Sequence, residues 1–149
     1  GTGVIMTMNT AGTKVLSRNL VNGGRINHSV GLLQFANGGT LSNATGHVYN
    51  LLAAGTISSL GSGNVFNNAG VFNDQTIATI TLGMTFNSTG QVNVYGGALN
   101  IDGGGSNTGT RNIAAGAVMN YRASYTHGAG SSAAGLGMPY LSLLGCEKD

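Results

Sequence analysis

The chain has 149 residues, of which 41% are apolar and only 7% charged, with a formal net charge of +2. An average soluble domain is about 25% charged, so polarity here rests on uncharged groups, with 17 Asn and 15 Thr beside 27 Gly, one Pro and no Trp. These totals argue against a disordered chain, which combines low hydrophobicity with high net charge, and against nucleic-acid binding, since the six cations are scattered and form no basic patch.

Residues 1–25 hold Lys14, Arg18 and Arg25 and are expected to form an N-terminal cap or lead-in. The start at Gly1 without Met is read as a processed product or an excised piece. From residue 26 the chain divides after its glycine turns into INHSVGLLQFANGG, TLSNATGHVYNLLAAG, TISSLGSGNVFNNAG, VFNDQTIATITLG, MTFNSTGQVNVYGG, ALNIDGGGSNTGTRNIAAG and AVMNYRASYTHGAG. Most units open on a short alternation such as Thr40-Leu41-Ser42-Asn43, and many carry a second, such as Gln91-Val92-Asn93-Val94. Alternation over so few residues predicts short half-buried strands. Helix is excluded, because interior Gly costs about 1 kcal/mol and Gly or Asn interrupts every stretch long enough to matter. Residues 129–149 break the pattern and are expected to form a C-terminal cap or tail.

Short strands at this spacing suit a sandwich, a barrel or a parallel β-solenoid, and two features favour the solenoid. Between Ile26 and Ile101 the only formally charged side chain is Asp74, whereas the solvent faces of sandwiches and barrels normally carry charge. In a solenoid each side chain stacks on its equivalent about 4.8 Å away, where like charges repel and Asn, Ser and Thr hydrogen-bond. Units that resemble one another at regular spacing are also what stacking requires. The prediction is an all-β parallel β-solenoid (β-helix) of about seven short coils for the chain, with the repeats over residues 26–128 and irregular capping ends.

The stretch Leu99-Asn100-Ile101, Gly103-Gly104-Gly105, Asn112-Ile113-Ala114-Ala115-Gly116-Ala117, together with Phe66 to Asn73, resembles the Gly/Asn-rich β-solenoid repeats of secreted bacterial surface proteins, of the autotransporter-passenger or haemagglutinin-like adhesin type. The likeness covers about residues 26–128. It implies an extracellular or cell-surface setting and no cofactor, and it supplies no functional residues to carry over.

The residues themselves offer little chemistry. Glycoside cleavage needs two carboxylates facing one sugar, yet Asp74 and Asp102 lie in different units and read as turn residues bonding their own backbone. His28, His47 and His127 lack metal-ligand spacing, although His28 and His47 are placed to stack in adjacent coils; surface polar positions are expected. The glycine-rich pieces Gly61–Asn64 and Gly128–Gly135 open no helix and read as turns or tail, not as phosphate cradles. Thr76, Thr79 and Thr81 suggest an ice-binding array but do not recur coil by coil. Tyr95, Tyr121 and Tyr125 fit sugar stacking or, with more weight, corner and core roles. Asn27, Asn43 and Asn87 begin N-x-S/T triplets and are glycosylation candidates. Cys146 stands alone and is a candidate intermolecular thiol. No catalytic, cofactor-binding or metal residues are assigned, and no segment is apolar for long enough to span a bilayer.

The expectation is a non-enzymatic extracellular structural or adhesive element, a surface-protein segment or fibre subunit that self-associates or joins neighbouring segments, with cell-surface glycans as possible ligands. The alternative is a carbohydrate-binding or carbohydrate-cleaving β-helix; an ice-binding solenoid ranks below both.

Overall fold

A computed structural model describes residues 3–141, and all side chains in that range except Ala53 and 138–141. The described chain is all-β and every strand pair is parallel. It winds as a β-solenoid of about six turns. The first coil holds β1 (Ile5–Met8), β2 (Lys14–Leu16) and β3 (Asn19–Asn22). The second holds β4 (Arg25–Ala36) and β5 (Thr40–Asn43), and the third β6 (Val48–Leu60) and β7 (Val65–Asn68). The fourth is β8 (Val71–Asp74), β9 (Thr79–Leu82) and β10 (Thr85–Ser88); the fifth is β11 (Gln91–Val94), β12 (Ala98–Ile101) and β13 (Gly105–Asn107). The sixth is β14 (Thr110–Ile113), β15 (Val118–Tyr121) and β16 (Tyr125–His127), after which β17 (Ser132–Ala134) and β18 (Met138–Leu141) begin a further level.

Three sheets form the walls. The first stacks β1, β4, β6, β8, β11, β14 and β17, with β2 also on β4; the second runs from β3 through β5, β7, β10 and β13 to β16; the third stacks β9, β12, β15 and β18. The turn count falls just short of seven because the step, 20 residues from Thr7 to Asn27, lengthens to 23 over the next two coils before returning to 20 and 19. The extra residues lie in β4 and β6, which run unbroken around a corner that later coils make with a turn. Residues 5–22, expected as a lead-in, already supply a coil, since β1 and β2 pair with β4 and β3 pairs with β5.

Alternation decides which side chains enter the lumen. In β7, β8 and β10 the second and fourth residues are buried and the first and third are not. Phe35, Tyr49, Phe66, Phe72 and Phe86 fill the middle coils, and Phe66 meets Phe72 and Phe86 edge-on with centroids 5.5 and 5.4 Å apart. Such pairs add roughly 0.5–1.5 kcal/mol beyond the area they bury.

The turn from the second sheet into the first explains part of the glycine content. Gly70, Gly90 and Gly109 stack there, and a Cβ on Gly90 would overlap the carbonyl oxygen of Gly70, as one on Gly109 would that of Gly90. Backbone passes too close for any side chain. Buried asparagines staple the same corner. Asn43 Nδ2 donates to Asn68 Oδ1 at 2.8 Å and to the carbonyl of Val71 at 3.0 Å, while Asn68 Nδ2 donates to Ser88 Oγ and to the carbonyl of Gln91. Asn22 does the same one coil earlier, to Asn43 and Val48.

Candidate binding surfaces

The outward face of the first sheet carries a continuous amide ladder. Asn50 donates to Asn27, Asn73 to Asn50, Asn93 to Asn73 and Asn112 to Asn93, at 2.9, 2.8, 2.7 and 2.8 Å. Parallel in-register stacking brings equivalent side chains one strand spacing apart, where an amide can both donate and accept. The second sheet repeats this with Asn87 donating to Asn67 and Ser106 to Asn87, the third with Asn120 donating to Asn100. These walls are neutral and rich in hydroxyl and amide groups.

Two places interrupt the uniformity. At the first coil, β1, β2 and β3 each pair on one side only, among the described residues. Ile5, Val15 and Val21 are 60%, 60% and 67% exposed there. Met6, which points inward over Ile26, is 41% exposed at the mouth of the lumen, where a cavity of about 330 Å³ is lined by Val4, Met6, Leu20, Asn22 and Ile26. Lys14 of β2 is turned onto the backbone, its Nζ donating to the carbonyls of Thr10 and Gly12 in its own coil and of Val30 in the next. On the first sheet, Gln91, Asn93, Tyr95 and Asn112 line a shallow concavity of about 290 Å³ with Val94, Ile113, Ala114 and Gly135.

The two acids among the described residues, Asp74 and Asp102, do not converge. Asp74 is buried in the lumen column between Leu51 and Val94. Its Oδ1 accepts from the Thr76 amide at 3.0 Å and the Thr76 hydroxyl at 2.8 Å, the turn bond expected of it, while its Oδ2 has no partner among the described residues. Burial pushes this carboxyl up to about 6, against a smaller opposing effect of the Thr76 bonds. Asp102 follows β12 and is exposed, so the two acids share no face. Thr76 is buried, so with Thr79 and Thr81 it makes no flat array.

His28 differs from expectation. It is wholly buried, because Ile26 and His28 share the inward side of β4. Its Nε2 lies 2.8 Å from the Gly31 carbonyl, an acceptor only, which fixes the proton on Nε2; Nδ1 then accepts from Tyr49 Oη at 2.9 Å. Burial pushes its pKa down. It does not stack with His47, because Leu51 occupies the equivalent place in the next coil. His127 is half-buried at the last complete coil beside Arg111, whose Nη1 donates to His127 Nδ1 at 2.9 Å and to Tyr121 Oη at 3.0 Å. Burial and, less strongly, Arg111 lower His127. The inward Arg111 was missed from sequence, although it stands in TRNI where Val92 stands in QVNV. Arg111, Tyr121, Tyr125 and His127 close the apolar lumen with a polar, aromatic layer.

Of the remaining candidates, Tyr121 and Tyr125 are buried and Tyr95 is 57% exposed at a corner. Asn43 is buried with its amide engaged, leaving no room for a glycan, whereas Asn27 and Asn87 lie in the outward ladders. Gly61–Gly63 forms a turn, and the glycine-rich piece near the end contains β17. Cys146 lies outside the described residues. Among the described residues no three metal-ligating side chains group together, and no helix is long and apolar enough to cross a membrane. No protein-family model matches the chain, and no curated protein or solved structure matches it.

Proposed function

We propose that this chain is a non-enzymatic structural or adhesive element of the extracellular space or cell surface, joined to further β-solenoid coils through its open edge. The carrying observation is the first coil, where three strand edges lack a second neighbour among the described residues and residues of β1 and β3 line an apolar mouth. Exposed edges are ordinarily protected by charge, proline or bulges; β1 and β3 carry neither charge nor proline. A coil of the same kind, from another copy or a neighbouring segment of a surface protein, satisfies those edge groups by strand addition. The neutral ladders let such coils approach without repulsion. The resemblance of the repeats to those of secreted bacterial surface proteins supports the setting.

The test is negative-stain electron microscopy and sedimentation velocity over a concentration series, with and without reductant. Unbranched fibres or concentration-dependent oligomers are expected, and Met6→Lys, which places an ammonium at the mouth, is expected to abolish them while the fold persists by circular dichroism. Loss of the assemblies in reductant alone would transfer the junction to Cys146. Monomers at every concentration would defeat self-association and leave a neighbouring segment as the partner.

A further inference from the structure

The four phenylalanines and Tyr49, Tyr121 and Tyr125 are all at most 2% exposed, whereas Tyr95 is 57% exposed. It stands at the end of β11, where the outward alternation runs Gln91, Asn93, Tyr95, so its ring follows two amides along the same face. Asn112 of the next coil stands beside Asn93 and donates to it at 2.8 Å. These four side chains line the concavity of about 290 Å³.

The ladder also ends here. Each outward asparagine from Asn27 to Asn93 accepts from the rung that follows, but the position after Asn112 is Ala134, which has no amide to donate. Among the described residues nothing donates to Asn112 Oδ1 or to Gln91 Oε1; the Gln91 side chain is oriented by its Nε2 bond to Asn93 Oδ1 at 3.0 Å. Two oriented acceptors and an exposed aromatic face therefore meet in one depression, with no charged residue in its lining.

We propose that this depression binds a neutral polysaccharide, one pyranose ring lying on Tyr95 with its hydroxyls donating to Asn112 and Gln91. An aromatic face suits the C–H side of a sugar ring, and a few placed polar groups in a concave site fix its orientation. The absence of any cation in the lining selects against uronates and phosphates, which need Lys or Arg as partners. The site lies on the side wall and is independent of the open edge, so it stands or falls apart from end-to-end assembly.

Affinity electrophoresis of the full chain through gels containing dextran, mannan, xylan or β-1,3-glucan tests this, with polygalacturonate as the acidic control. Retardation by at least one neutral polymer is expected. Tyr95→Ala is expected to lose it, at least tenfold in apparent affinity, and Tyr95→Phe to keep it because the ring persists. Tyr95 is exposed, so these variants are expected to fold, and circular dichroism checks it. No retardation by any neutral polymer, equal retardation by polygalacturonate, or unchanged retardation of a folded Tyr95→Ala would each overturn the proposal.

Discussion

Asp74 shows what a single inward polar residue does to this fold. Its carboxyl is raised from 3.8 to about 6 by burial and has one oxygen without a partner among the described residues. A raised carboxylate pKa means the native state holds the proton more tightly than the unfolded chain, so stability falls as pH rises from about 4 to about 6 and is then level. His28 and His127, both lowered, act oppositely, costing stability as pH falls below their ordinary 6.5. The Asp74 contribution is therefore read as a difference. Asp74→Asn keeps an acceptor for Thr76 and is expected to exceed the parent by on the order of 2–3 kcal/mol at pH 7, with the gap closing near pH 4. Denaturant unfolding across that range measures it, and a gap independent of pH would refute the assignment. The turn bond to Thr76 was legible in FNDQT; the burial was legible too, from strand parity, because Phe72 and Asp74 share a side of β8. His28 and Arg111 obey the same parity, and reading them by charge rather than by position placed them wrongly or not at all.

Along the elements, asparagine has two roles that composition alone does not separate. The abundance of Asn and the near absence of charge were enough to predict stacked parallel strands, because only neutral donor–acceptor side chains tolerate in-register repetition. In VFNN, however, neighbouring asparagines divide: Asn67 joins an outward ladder and Asn68 a buried one that staples β11, the first strand of the fifth coil. The coil count was less legible for a similar reason, since β4 and β6 absorb residues into continuous strands where a turn was expected. The two roles differ in energy. Asn68→Ala takes one of its two acceptors from Asn43 Nδ2 and removes the side-chain donor to Ser88 Oγ and the Gln91 carbonyl in a dry corner, where a buried group left unsatisfied costs about 1–3 kcal/mol. Asn73→Ala breaks bonds to Asn50 and Asn93 on a wall that water reaches, where a net hydrogen bond is worth about 0.5–1.5 kcal/mol. Chemical denaturation is expected to rank Asn68→Ala as the more damaging of the two by at least about 1 kcal/mol, and the reverse order would contradict the inward ladder as the principal staple.

At the scale of the whole molecule, each coil touches chiefly the coils before and after it, so stability is distributed as in a one-dimensional array. The distribution is uneven because the lumen is not filled uniformly. Its four phenylalanines and Tyr49 lie in the second to fourth coils, with Tyr49, Phe66 and Phe72 in mutual contact, whereas the first coil exposes Met6 and the sixth places Arg111 where the fifth has Val92 and His127 where it has Asn107. Local opening follows buried apolar contact and free edges. Native-state hydrogen exchange is therefore expected to show the slowest amides in β7, β8, β10 and β11. Those of β1 and β2 at the open edge and of β17, whose residues are all exposed, should exchange orders of magnitude faster. Assembly through the first coil is expected to protect β1 and β3 selectively as concentration rises, because their edges gain partners while the central strands already have two. Uniform protection along the chain would instead mean that the polar layer at Arg111 and the open mouth are as well held as the aromatic centre, and that the solenoid opens as one unit.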